Sequence, residues 1–284
     1  MRTIRNKIKG NFPRFHRFYR TIKFNYRTLF VPRLRTIRQK EINKIAFAGS
    51  EHGWAFVERK YLFNSVVISV GLGEDASFDA DFCNKYGARL LIVDPTPQSI
   101  VHFQAITSNF GMAKRINYVQ GGKQPVESYE LSKISAGKFD LIPKALWIKT
   151  GWINFYVPKN PDHNSFSITN IQGTSASIEV PSVTYHDLLI ETGIDEESVR
   201  VLKLDIEGAA TEVLSSLIKE GYRPNQILVE FEEVFVFSIR NLLKLRRVTK
   251  LLGIAGYQLM HTNFIANFTY EYFEEVEVES KFIN

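Results

Sequence analysis

Two short segments carry residue types and spacings from which a reaction site could be built: Gly71-Leu72-Gly73-Glu74-Asp75-Ala76 and Lys203-Leu204-Asp205-Ile206-Glu207-Gly208. In the first, Gly71 permits a tight turn and Gly73 lets a ligand approach the backbone, because neither carries a Cβ. The spacing G-x-G-x-x-A, with Asp94 about 20 residues further on to hold a ribose, also fits a dinucleotide site. The charges argue for another ligand. A pyrophosphate on this turn would lie beside the carboxylates of Glu74 and Asp75, an electrostatic conflict. S-adenosylmethionine has no phosphate and carries a sulfonium and an ammonium, which acidic neighbours suit. A helix N-terminus decorated with favourable acids accounts for Glu74 and Asp75, but not for the paired glycines.

Asp94 ends an apolar run at Asp94-Pro95, where a carboxylate can accept both hydroxyl protons of a ribose or simply shape an Asp-Pro turn. In an extended strand Lys203, Asp205 and Glu207 share one face. A lysine in a buried strand needs a partner, so a structural ion pair is one reading. The other places Asp205 and Glu207 at the mouth of a site, to orient or deprotonate a hydroxyl or to hold a divalent cation. No metal site is assigned from these two acids. Glu230 and Glu232 follow a further strand and read first as solvated rim carboxylates, with a position facing the acceptor as the alternative for either. His163 sits in a loop-like stretch as a general base, a substrate contact or an incidental surface residue. Gly49-Ser50-Glu51-His52-Gly53-Trp54 flanks the pocket, with Trp54 stacking on a ligand or filling core.

The elements that must position these residues follow from periodicity. Val66–Val70, residues 90–93, residues 139–142, residues 201–204 and residues 227–229 are near-continuous apolar runs, as expected of strands covered on both faces. Helical segments follow them. The clearest places Ala210, Val213, Leu214, Leu217 and Ile218 on one stripe, ended by Gly221. Ser77 is the expected N-cap of the first helix, and Gly87 its stop. Thr184 with Asp187 forms a capping pair. Residues 152–157 and 176–180 read as further strands or an excursion. The last 30 residues read as two strands joined by a turn at Asn263–Asn267. Repeated strand–helix units predict a doubly wound, mostly parallel α/β sheet, with an antiparallel C-terminal strand pair at one edge. Ligands bind such sheets beyond the carboxyl ends of the strands.

The 284-residue chain divides by charge. Residues 1–40 hold 13 Lys or Arg and no Asp or Glu, which leaves 23 basic and 30 acidic residues in the remainder. A basic, aromatic-rich extension over residues 1–44 therefore precedes a mildly acidic domain over residues 45–284, with a polar insertion at about 111–137. The extension reads as a flexible leader or a surface helix packed on the domain, or as an arm for an anionic membrane, for nucleic acid or for an acidic partner. No specific nucleic-acid partner is expected. No run approaches the roughly 18 apolar residues of a membrane span, and no secretory pattern opens the chain. The single cysteine, Cys83, suits a reducing, cytoplasmic compartment.

Together these motifs resemble the FkbM family of S-adenosylmethionine-dependent methyltransferases over roughly residues 45–275. The resemblance rests on Lys203 to Ala209, Val229-Glu230-Phe231, Val70 to Asp75 with Ser77-Phe78-Asp79, and Asp94-Pro95-Thr96-Pro97. Residues 158–167, with His163, look like the family's substrate-side loop. The resemblance implies a seven-stranded Rossmann-like methyltransferase sheet, donor binding at Gly71, Gly73 and Asp94, and O-methylation of a small-molecule or glycan hydroxyl. Ser69 stands where many methyltransferases have an acid, and Phe166 where the family often has a second histidine. The competing readings are an NAD-dependent oxidoreductase using the same glycine loop, and an inactive methyltransferase-fold docking protein.

Overall fold

The computed structural model describes residues 22, 24–35, 37, 43–50, 53–156, 176–235 and 238–274. Its centre is a seven-stranded sheet. In chain order the strands are β3 (Val66–Val70), β4 (Arg89–Val93), β5 (Phe139–Ile142), β9 (Val199–Leu204), β10 (Gln226–Glu230), β11 (Tyr257–Thr262) and β12 (Asn267–Tyr272). They lie side by side in the order β11-β12-β10-β9-β3-β4-β5. Neighbours from β5 to β10 run parallel, and β12 alone is reversed, inserted between β10 and β11. The expected doubly wound sheet with an antiparallel closing pair is what the chain forms.

Alternation along each strand supplies two cores. Ile68, Leu202 and Ile227 face α4 (Ala210–Lys219) and α5 (Ile239–Ile254), whereas Val67, Val201 and Leu228 face α1 (Ser77–Tyr86). Each large apolar side chain removed from water contributes about 1.5–3 kcal/mol, so the two faces anchor the strand ends firmly. α2 (Pro97–Thr107) follows β4, and α3 (Tyr185–Thr192) carries the expected cap, with Thr184 Oγ1 accepting the Asp187 N–H.

Ser77 does not cap α1 as its sequence position suggested. It is the first helical residue, and its N–H donates to Asp75 Oδ1 at 2.9 Å, so Asp75 satisfies that helix end. Residues 111–137, polar in composition, bury Tyr129, Leu131 and Ile134 against α1 and the sheet. The Ala76 N–H donates to the Tyr129 hydroxyl at 3.0 Å.

Two smaller sheets accompany the seven-stranded one among the described residues. β1 (Ile45–Ala48) and β2 (Trp54–Val57) form a hairpin tied to the main sheet by Gln226, whose side chain bonds both the N–H and the carbonyl of Val57. β6 (Ala145–Leu146), β8 (Ser177–Val183) and β7 (Gly151–Tyr156) form a three-stranded sheet beyond β5. Part of the basic extension belongs to the core: Phe24, Val31 and Leu34 are buried with the α5 side of the sheet.

Candidate active site

The sheet reverses its winding direction between β3 and β9, so a crevice must open beyond their carboxyl ends. There lies a cavity of about 690 Å³, lined among others by Gly71, Gly73, Asp94, Asp205, Glu207 and Glu230. Parallel pairing of β3 with β9 joins its two halves, and the Asp205 N–H donates to the Val70 carbonyl at 2.9 Å. Gly71 has φ +87°, and the space a side chain there would need holds the Asp205 carbonyl oxygen. Gly73, at φ +56°, faces open space instead.

Asp94 is buried and draws this loop together. Its Oδ2 accepts the N–H groups of Leu72 and Gly73 at 2.9 and 3.1 Å. Its Oδ1 accepts the N–H and hydroxyl of Thr96 at 2.8 and 2.7 Å. Four protein donors thus fill a carboxylate with about four acceptor sites. Glu74 and Asp75, although on the cavity wall, also have protein partners. Glu74 Oε2 lies 2.8 Å from Lys123 Nζ, and the Glu74 carbonyl accepts the Gln124 N–H. Asp75 Oδ2 accepts from Ser50 Oγ at 3.0 Å. Residues 121–123 are thereby pinned over the loop as one wall of the cavity.

Lys203 is almost wholly buried and finds several partners. Its ammonium donates to the Gly71 carbonyl at 2.9 Å, lies 3.8 Å from Asp205 Oδ2, and sits 5.0 Å from the centre of the Trp54 ring. Trp54, on the cavity wall, therefore holds a cation of its own chain. Beneath it Ser69 pairs with Lys203 across the strands, and α1 sends Asp79 into the same buried layer. Among the described residues, neither Asp79 oxygen nor the Ser69 hydroxyl has a partner of good hydrogen-bond geometry, although Ser69 lies close enough to favour the Asp79 carboxylate. Burial pushes the Asp79 carboxyl up, with the Lys203 charge opposing. A buried acid is thus present beside Ser69, brought from a helix rather than from the strand.

The register of β9 with β10 sets Val229 beside Leu204, which places Glu230 and Asp205 next to each other at adjacent strand ends, both on the cavity. Strands lie roughly 4.8 Å apart, so two carboxylates face one another across a short gap. Burial pushes Glu230 up to about 8, and the Asp205 charge adds to it. Enclosure by the cavity walls raises Asp205 too, opposed by Lys203; with 44% of its side chain exposed, cavity water moderates the rise. The two carboxyls repel, and the pair holds a proton more readily than either would alone. Glu232, also raised to about 8 by burial, lies beside Gly208 and does not line the cavity.

The sequence leaves three contributors undecided or without a role. Glu230 reads from it as a solvated rim carboxylate or an acceptor contact, and its cross-strand pairing with Asn267 holds it on the cavity. The β11–β12 turn brings Asn263, Ile265 and Asn267 to the same wall; Asn263 Oδ1 accepts three successive backbone N–H groups, from Ile265 to Asn267. Asp79 could have been noticed as an acid on the apolar face of a helix. His163 and the loop around it, with Glu51 and His52, lie outside the described residues. Among the described residues no group of His, Cys, Asp and Glu has the arrangement of a metal site.

The residues present suit a cationic ligand. Six carboxylates line the cavity against two lysines, Lys123 and Lys203. A side-chain-free approach at Gly73, where an added Cβ would meet nothing, leaves backbone open to a ligand.

The profile of the methyltransferase FkbM domain matches residues 70–259. No curated protein matches the chain by sequence. Among solved structures, the chain is similar to the Methanococcus jannaschii fibrillarin pre-rRNA processing protein, at 8% identity and TM-score 0.38, over 77% of this chain and 71% of that one. A precorrin-6y C5,15-methyltransferase from Geobacter metallireducens gives 9% identity and TM-score 0.34, over 86% of each chain. The SAH-bound Podospora anserina methyltransferase gives 7% and 0.32, over 74% and 72%.

Proposed function

The chain belongs to the FkbM methyltransferase family, and from that membership we propose that it transfers a methyl group from S-adenosylmethionine to a hydroxyl of a small-molecule or glycan acceptor. The observation that carries the donor assignment is the glycine turn at the sheet's switch point, in a cavity with an excess of carboxylates. Gly73 would admit the donor to the backbone, Gly71 would shape the turn against the Asp205 carbonyl, and the acidic wall would balance the donor's positive charge. When bound, the donor supplies an electrophilic methyl whose bond to sulfur breaks as the bond to the acceptor oxygen forms, leaving a neutral thioether.

The chain's own part is orientation and proton removal. Asp205 and Glu230 stand together beside the glycine loop, both raised by burial and Glu230 to about 8, and their mutual repulsion favours one ionised carboxylate beside one protonated carboxyl. The ionised carboxylate takes the hydroxyl proton; the protonated one can donate a hydrogen bond to the acceptor. Glu207, also on the wall, orients that hydroxyl. Positioning supplies much of the acceleration, because the donor is already a strong electrophile. A reducing cytoplasmic setting suits the buried free thiol of Cys83.

A thermal-shift comparison of S-adenosylhomocysteine with NADH tests the donor assignment. Stabilisation by the first alone is the expected result. Stabilisation by NADH alone would replace methyl transfer with hydride transfer on the same glycine loop.

A further inference from the structure

The segment from Phe24 to Arg35 does two opposite things with its apolar residues. Phe24 is buried, its ring 5.6 Å edge-on from Phe264 and 6.1 Å from Phe268. Ile22, Tyr26, Leu29 and Phe30 stand outward, 51 to 67% exposed. Soluble surfaces scatter such residues singly, whereas here four fall within nine positions.

Charge around them has one sign. Residues 22–40 contain no acid. The turn Pro32–Leu34 packs on α5, with the Arg33 guanidinium against Gly253. α5 also lacks any acid and exposes Arg240, Arg246, Arg247 and Lys250, together with Ile239 and Ile254. A recess of about 330 Å³ between Phe24, Pro32, Arg35 and Phe264 adds a cation at an apolar rim.

We infer that these two neighbouring elements seat the protein on an anionic lipid surface. Aromatic and aliphatic side chains enter the headgroup boundary while arginines and lysines meet lipid phosphates and carboxylates. Nucleic acid fits the charge but gives nothing to Ile22, Leu29, Ile239 and Ile254. A second copy would set two basic faces against each other. The seat adjoins the cavity, because Phe264 lies between Asn263 and Ile265, both on its wall. The lipid contact stands independently of the reaction. Resting on the methyl-transfer reading, it makes a membrane-held hydroxyl compound the acceptor class to test first.

The test is flotation of the full chain with phosphatidylcholine vesicles, with and without about 30% phosphatidylserine. Flotation only with the anionic vesicles is expected, reduced roughly fivefold or more by Leu29→Ser/Phe30→Ser and separately by Arg246→Glu/Arg247→Glu. These side chains are exposed, so melting temperature and S-adenosylhomocysteine binding should not change; donor binding reports on the methyl-transfer reading separately. Flotation with neither vesicle, equal flotation with both, or variants that float like the parent would overturn the inference. So would binding of a single-stranded RNA probe, or self-association, that disappears with the same substitutions while flotation is absent.

Discussion

The carbonyl oxygen of Asp205 fills the space that a side chain on Gly71 would require, so the glycine turn and the acidic strand end are fitted to each other directly. A substitution at one must displace the other.

Gly71→Ala should therefore lose donor binding and at least about 2 kcal/mol of stability, since φ +87° and a backbone clash act together. Gly73→Ala, with open space around it, should cost only the strain of its φ. Denaturant melts and calorimetric titration with S-adenosylhomocysteine would compare the two; equal behaviour would contradict the fitted geometry.

Asp94→Asn places an amide among four hydrogen-bond donors. Loss of about 2–3 kcal/mol of stability is expected, alongside weakened donor binding. A stable variant with selectively lost donor affinity would instead assign Asp94 a direct ribose contact.

Asp205→Asn and Glu230→Gln should each lower turnover by about 10²- to 10⁴-fold while donor affinity changes little. Single-turnover methyl transfer with equilibrium binding on the same samples checks this. Unchanged turnover in Asp205→Asn would remove the assigned base.

The raised Glu230 carboxyl also affects stability. The folded state keeps a proton that the unfolded chain gives up from about pH 4.5, so its contribution turns increasingly unfavourable as pH rises toward about 8. Glu230→Gln should therefore flatten the fall in melting temperature across that window, and gain most at its upper end. A melting profile parallel to that of the parent would show the group to be unperturbed.

Lys203→Met should cost about 3–5 kcal/mol, because Asp79 and Asp205 lose the cation that opposes their burial. Adding Asp79→Asn should recover part of the loss, which a double-mutant cycle of unfolding free energies would measure.

The sequence by itself determined the layers and the location of the site. Apolar runs such as Val66–Val70 are those expected of strands covered on both faces, the stripe from Ala210 to Ile218 is that of a helix facing them, and both form as expected. With Gly71, Gly73 and Asp205 falling just after strands, their gathering at one sheet edge follows from chain order alone. Only the tertiary structure decided which polar groups meet there. Glu230 and Glu232 are two residues apart, yet register with β9 and β12 puts Glu230 on the cavity while Glu232 lies beside Gly208. Asp79 reaches the layer beside Ser69 from another element, and Asp94 has its acceptor sites filled by the loop it was expected to serve. Local patterns encode which face of an element is apolar. The pairing of side chains from distant segments depends on strand register and helix placement, which no local spacing records.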